Sequence, residues 1–376
     1  MWLVNSRRRK LLKTGAAYLI SPVATSLIFP KAAIVRPSRA QIVQFSGAPQ
    51  PQAMLDGSAL APAPSERPQL PNLLDAYHLV GLPGGRNKNN GRQPPWNVAG
   101  VDYRVGINMG VTLKNPASDT LPPNCTRDAG NQLFLVNGDT TLDGWNFANW
   151  TVLVEGGTNV KITNNNFTRG YLRWSADGGA SGGIIRYNTF YAENANTGVC
   201  QFIIYRPGTY IVEYNHFDKS YHMLFQITNG DPGQSLVFRY NLLTNAGGGA
   251  PFGAHGDWIQ MFGDYNVLSV HISYNTILQN IFGYATQGFS LNALNPTIHV
   301  GGITNNTMIV KTNTNCGIYL VPHWHIDPFY IRDNYVDPTY SGFRFSVLDY
   351  GWPGPYPGNV IVKTGNINML TGGRIQ

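Results

Sequence analysis

Two stretches of this chain concentrate the side chains able to move protons. His216, Lys219 and His222 fall in one, and Ala254-His255-Gly256-Asp257-Trp258-Ile259-Gln260 forms the other. An imidazole titrates near working pH and serves as acid or base, a carboxylate can orient it, and a nearby cation stabilises charge developing on a substrate carboxylate. The chemistry such a set suits is β-elimination of a uronate sugar. Arg206 or Lys219 supplies the cation beside the sugar carboxylate, and His222 or Lys219 removes the C5 proton. His255, oriented by Asp257, protonates the leaving oxygen. Gln226 and Gln260 offer amides for hydroxyl groups, and Trp258 with Leu224 offers an apolar floor for a pyranose ring. Hydrolysis, which needs paired carboxylates, has less behind it: Asp231, Asp257 and Asp264 are available but show no pairing.

Each of these residues also has a plainer role open to it. His216 reads as a surface residue, a single histidine as a hydrogen-bonded structural group, and Asp257 as the cap of a turn. Further along, His323-Trp324-His325-Ile326-Asp327 places two histidines on one face of a strand, where they could bind a metal. No third ligand is evident, and a distorted terminal coil is the simpler reading.

The two stretches are far apart in the chain, so their chemistry depends on a fold that makes them neighbours. A recurring phrase supplies one: an apolar residue, two variable residues, Asn, one variable residue, and a second apolar residue. It occurs as Ile162-Thr-Asn-Asn165-Asn-Phe167 and again around Asn188, Asn215, Asn241, Asn275, Asn306 and Asn334. The Asn positions are 23, 27, 26, 34, 31 and 28 residues apart, a solenoid period whose unevenness suits coils with insertions in their loops. The phrase is too short, and too rich in β-branched and aromatic residues, for a helix. Stacked at about 4.8 Å per rung, its apolar positions form internal columns and its Asn side chains a hydrogen-bonded ladder. The expected fold is all-β, a right-handed parallel β-helix of about 8–10 coils. A second line of apolar-x-apolar strands, Phe225-Gln226-Ile227, Ile259-Gln260-Met261, Phe289-Ser290-Leu291 and Ile318-Tyr319-Leu320, turns Gln226, Gln260, Ser290 and Tyr319 outward as one column. Pairing Phe225 with Ile259 then brings His222 beside His255 and Asp257, with the insertion at 245–253 as a wall. Arg186, Glu213 and Arg239 share one repeat position and read as a charge ladder rather than a catalytic set.

Through its Asn-bearing phrases the chain resembles the pectate-lyase-like right-handed parallel β-helix superfamily over residues 100–370. That resemblance is specific for fold. It implies polysaccharide lyases, hydrolases, epimerases, esterases or phage tailspikes without choosing among them. The multi-aspartate calcium cluster of pectate lyases is not evident, nor is the Asn-Thr-Asp and Asp-Asp pattern of polygalacturonases. No metal ligand is assigned, and a calcium requirement stays open.

Composition sets the remaining bounds. The net charge of +7 comes from residues 1–40, whose eight Lys and Arg stand with no acid, leaving the remainder one unit negative. Nucleic acid is therefore not an expected partner. The run Arg8-Arg9-Lys10-Leu11-Leu12-Lys13 before an apolar stretch at 16–29 resembles a twin-arginine export signal. The stretch is shorter than the ~20 residues of a membrane span, so no stable span is expected after signal removal. Residues 1–40 read as signal, 41–95 as a Pro/Ala/Gly-rich linker, and 96–376 as the β-helix with an N-terminal cap, in which 98–113 supply first strands or the cap itself. Cys125, Cys200 and Cys316 form no disulfide framework: four coils, about 19 Å, separate the last two, which read as small core residues. The expected protein is periplasmic or extracellular and acts on a polysaccharide, as a lyase first. A glycoside hydrolase on the same fold, or a non-catalytic glycan-binding or surface-scaffold protein, are the alternatives.

Overall fold

In every copy of the phrase the variable residue before Asn takes a left-handed backbone conformation, and this turns the chain from one sheet into the next. Asn164, Tyr187, Tyr214, Tyr240, Tyr274, Asn305 and Asp333 all have φ between 55° and 57°. The computed structural model describes residues 92–175, 178–192, 200–220, 222–228, 234–247, 256–262, 266–279, 285–292, 297–310, 314–320, 325–326, 328–337, 344–347 and 361–375. All of them belong to one compact unit, residues 61–376. They form 28 strands and no helix, in sheets of ten, ten and eight strands. Each coil gives one strand to each sheet in turn. Phe225–Thr228 lies in the first sheet, Gln234–Arg239 in the second and Leu242–Thr244 in the third. Successive strands pair in parallel, apart from Cys125–Asp128, which runs antiparallel against Leu133–Asn137 at the start of the first sheet. The chain is a parallel β-helix. Parallel strands joined by crossovers within a sheet are right-handed in about 98% of cases, the hand expected from the sequence.

The buried Asn residues form a continuous ladder. The Oδ1 of Asn215 accepts hydrogen bonds from the backbone N–H (2.9 Å) and side-chain amide (3.0 Å) of Asn188 one rung earlier. Its own amide donates back to the Ile185 carbonyl (2.9 Å) and on to Asn241 Oδ1 (3.0 Å). The pattern repeats from Asn165 to Asn366, so amides that would be costly to bury unpaired are satisfied inside the wall. At the first end Trp145 takes the Asn position and donates its backbone N–H to Asn165 Oδ1 at 2.8 Å. Inside, columns of apolar side chains follow the register. Phe134, Val152, Leu172, Phe202, Phe225, Ile259 and Phe289 line one of them. Phe167, Phe190 and Phe217 stack in another at 4.7 Å between ring centroids. Each such ring contributes roughly 1.5–3 kcal/mol of burial.

Residues 98–113, expected as first strands or an end cap, form neither. Residues 92–115 are a strap along the outside of the solenoid, running from its last coils to its first. Trp96 packs edge-on against Tyr274 and Tyr335, with centroids 5.8 and 5.2 Å apart. Val98 and Val101 cover Leu278, Ile309 and Met369. Tyr103 lies against Tyr214 and Tyr240. Gly106 N–H donates to the Tyr214 carbonyl at 2.9 Å, and the Lys114 backbone N–H donates to that of Gly144 at 2.7 Å. Beneath the strap, the left-handed tyrosines 187, 214, 240 and 274 stack at 5.1–5.3 Å. A left-handed Tyr costs roughly 1–2 kcal/mol, and ring stacking together with burial under the strap offsets it.

The strap gives a direct test. Tyr103 is buried, and its hydroxyl has no hydrogen-bond partner. Tyr103→Ala is expected to lower stability by about 3 kcal/mol in urea unfolding, whereas Tyr103→Phe should leave it unchanged or raise it, because an unsatisfied buried hydroxyl is removed.

Candidate functional site

On the first sheet the register pairs Phe225 with Ile259, Gln226 with Gln260 and Ile227 with Met261, and carries the column on through Ser290 to Tyr319. Phe225 and Ile227 are buried while Gln226 and Gln260 are half-exposed, so the expected outward face is present at the two glutamines, whereas Ser290 is fully buried. Gln226 Nε2 donates to Gln260 Oε1 at 2.8 Å, and Gln260 Nε2 donates to Asp257 Oδ2 at 3.1 Å. The carboxylate of Asp257 is buried and thus terminates a string of amides that lies across two rungs.

The corner before this sheet carries the proton-moving candidates. The Leu224 N–H donates to the Asp257 carbonyl at 3.1 Å, so residues 222–224 run beside 256–258. This sets His222, half-buried, alongside Asp257. Lys219 sits just ahead of that turn, after strand His216–Asp218, in a left-handed conformation with φ of 50°. Its ammonium lies 5.6 Å from the Tyr191 ring centroid. His222, Asp257, Gln226 and Gln260 therefore share one corner of the first sheet, whereas the Lys219 ammonium lies over Tyr191 at the end of a third-sheet strand. His255 lies outside the described residues, as do Asp231, Asp264, His323, Trp324 and Asp327.

Two assignments change. Trp258 is no floor of an outer groove. It is fully buried, with its ring edge-on to Phe289 at 5.5 Å and its indole N–H toward Gln279 Oε1 at 3.5 Å. Leu224 is equally buried. At the corner two consecutive residues face inward, and strict strand alternation fails there. Arg206 does not join the cluster either. It follows the C-terminal end of strand Phe202–Ile204, where its Nε donates to the Ser175 carbonyl at 3.1 Å, whereas Lys219 and His222 precede the N-terminal end of the neighbouring strand.

Sequence reasoning passed over Arg173. It pairs by register with Ile203, which pairs with Gln226, so it belongs to the same outward column two rungs before the glutamines. Its Nε is buried without a hydrogen-bond partner, as is the hydroxyl of Ser290 further along the column. The register alone would have found it, since the strand Tyr171–Trp174 aligns once the coils are stacked.

Neighbouring clusters are structural. Glu213 is buried between Arg186 and Arg239, pairing with both, as expected for a charge ladder; the Arg239 Nε bond is 2.8 Å. Cys200 is buried and its thiol is pushed up to about 12 by desolvation, which removes it as a nucleophile at neutral pH. Among the described residues no group of three or more His, Cys, Asp or Glu is placed to hold a metal ion.

His216, expected at the surface, is half-buried on the third sheet, where the strap passes at Gly106. Its Nε2 is 3.3 Å from Thr244 Oγ1, which in turn donates to Asp218 Oδ1 at 2.6 Å. Desolvation holds its imidazole below the ordinary 6.5, opposed in part by the Asp218 carboxylate, and burial does the same to His271. The unfolded chain therefore binds more protons in acid. The stability contributed by keeping these rings neutral is complete above about pH 6.5 and is lost as pH falls toward the folded values. The urea midpoint is expected to drop between pH 7 and pH 5, and the double variant His216→Gln/His271→Gln should flatten that slope.

No protein-family model, no curated protein and no solved structure matches this chain.

Proposed function

We propose that this protein is an exported, carbohydrate-active β-helix of the pectate-lyase-like kind, a polysaccharide lyase that cleaves a uronate-containing polymer by β-elimination. The observation that supports the reading is the hydrogen-bonded string Gln226–Gln260–Asp257 on the first sheet, with the chain at His222–Leu224 entering the same corner through the Leu224–Asp257 backbone bond. The amides bind sugar hydroxyls along the column. Lys219 neutralises the carboxylate of the reacting uronate, so that charge accumulating on it is stabilised. His222 removes the C5 proton, the electron pair forms the C4–C5 double bond, and the C4–O bond breaks toward the departing chain. A proton delivered to that oxygen completes the step, and His255 is the residue assigned to deliver it. The basic leader fits a periplasmic or extracellular destination.

Glycan binding without turnover is the second reading. It is favoured by Asp257 already accepting from Gln260, which commits part of its carboxylate to holding the surface together. One assay separates the two. The purified protein is incubated with pectate, alginate and glucuronan, and release of ultraviolet-absorbing unsaturated ends is followed alongside retention on the polymer. Retention without release of such ends from any of the three would discard the lyase.

A further inference from the structure

We infer that Arg173 forms a distal carboxylate-binding subsite, so that an acidic polysaccharide lies along the solenoid axis on the first sheet and is read at least two rungs away from the reacting sugar. The inference rests on the reading of this sheet as the glycan face and adds a residue that no part of the elimination chemistry requires.

Four arginines of the wall have acceptors. Arg186 and Arg239 pair with Glu213, Arg206 donates to the Ser175 carbonyl, and Arg127 donates to the carbonyls of Pro116 and Asp119 at 3.1 and 2.7 Å. Arg173 Nε is buried with no hydrogen-bond partner, and its guanidinium lies 5.9 Å from the Tyr171 ring centroid and near enough to the Cys200 thiol for its charge to act there. A buried donor left without a partner costs roughly 1–3 kcal/mol, and more on a charged group. A cation held that way is prepared for an anion that arrives from outside. The planar fork of a guanidinium matches a carboxylate in two parallel hydrogen bonds.

Position gives the subsite its meaning. Arg173, Ile203, Gln226, Gln260 and Ser290 occupy consecutive rungs of one outward column. At about 4.8 Å per rung, Arg173 stands roughly 10 Å from Gln226 and roughly 19 Å from Ser290. Ser290 presents the column's other unpartnered buried polar atom. Ser290 is itself fully buried, so the part of the column open to a ligand runs from Arg173 to Gln260. Ile203, nearly buried between Arg173 and Gln226, supplies an apolar step beneath the chain.

The test uses the full-length mature protein and oligogalacturonates of two to five residues, with the fully methyl-esterified pentamer as the neutral counterpart, titrated by calorimetry. Wild type should bind the acidic pentamer more tightly than the dimer and more tightly than the ester. Arg173→Gln should weaken pentamer binding about 10- to 100-fold, the loss of one charge-assisted contact, and leave dimer binding unchanged. Arg173→Lys should restore part of the loss. The melting temperature of Arg173→Gln should not fall, because no protein hydrogen bond is removed. Equal binding of the pentamer by wild type and Arg173→Gln, or a loss that is the same at every chain length, overturns the subsite. So does a failure of the wild-type protein to bind any of the acidic oligomers. Turnover that ignores Arg173 removes the subsite and leaves β-elimination standing, whereas Arg173-dependent binding without unsaturated products does the reverse.

Discussion

Asn215→Ala is expected to lower stability by about 4 kcal/mol and to break the cooperativity of unfolding. The substitution takes a partner from four buried groups: the backbone N–H of Asn188, one amide proton of Asn188, and the carbonyls of Ile185 and Glu213. Each unpaired buried group costs roughly 1–3 kcal/mol. Against a total near 5–15 kcal/mol for an ordinary domain, such a loss is large. A solenoid holds together through nearest-neighbour interfaces, so damage at a central rung should let the coils on either side melt separately, and the urea transition should split or broaden. Asn366→Ala, at the end of the ladder, takes a partner from the backbone N–H and one amide proton of Asn334 and from the Ile331 carbonyl, all buried. By the same reckoning its cost should approach that at Asn215, but the urea transition should stay single, because the damage lies at the last described rung and not between two stacks of coils. Asn215→Asp should be as damaging as Asn215→Ala, because an oxygen would replace the amide that faces the Ile185 carbonyl and Asn241 Oδ1. Equal, small losses at Asn215 and Asn366 would mean that the ladder is not what holds the rungs in register.

The ladder was legible because it needs one residue type at one place in every coil, and the apolar positions around it repeat with it. The reading stopped one rung short at each end for physical reasons. In the last coil Lys363 and Asn368 stand where apolar residues recur, and Lys363 is exposed. Among the described residues no coil stacks on that rung, so it does not need an apolar interior, and a charge there blunts the edge of the sheet. At the other end Leu142 and Phe147 keep the pattern, but Trp145 stands at the Asn place and joins the ladder only through its backbone N–H. The strap left no period of its own, since its partners are scattered over many coils. Its trace was the run of four tyrosines at the position before Asn, a place where the backbone favours Asn, Asp or Gly. The outward glutamines followed from alternation within straight strands, and Trp258 was misplaced because alternation does not survive the corner. Arg206 looked close to Lys219 in sequence, yet it follows a first-sheet strand and Lys219 a third-sheet one. The partner of a cation such as Arg173 is not written in a sequence at all: only the packed structure shows that its Nε is buried with no hydrogen-bond partner.

His222→Ala is expected to reduce release of unsaturated ends from a uronate polymer by 10²–10⁴-fold, the usual worth of a positioned acid or base, while leaving the fold intact. The fold should survive because the side chain is only half-buried, and the local hydrogen bond from Ser220 Oγ, at 2.5 Å, goes to the His222 backbone carbonyl and is kept. Lys219→Met should cost a comparable factor if the ammonium stabilises the carboxylate charge, and its effect should fall mainly on kcat, because that charge grows in the transition state. Gln226→Ala removes a ground-state contact to hydroxyl groups and one half of the bond to Gln260, so its effect should appear in KM with kcat nearly unchanged. The contrast between these profiles carries the assignment. A protein that binds sugars without turning them over would lose affinity in the Gln226 variant and have no rate for His222 or Lys219 to affect. A lyase whose base lies elsewhere would keep its rate in His222→Ala. A rate that falls with His222 and Lys219, at unchanged melting temperature and polymer affinity, requires the base and the cation to act on the reacting sugar itself.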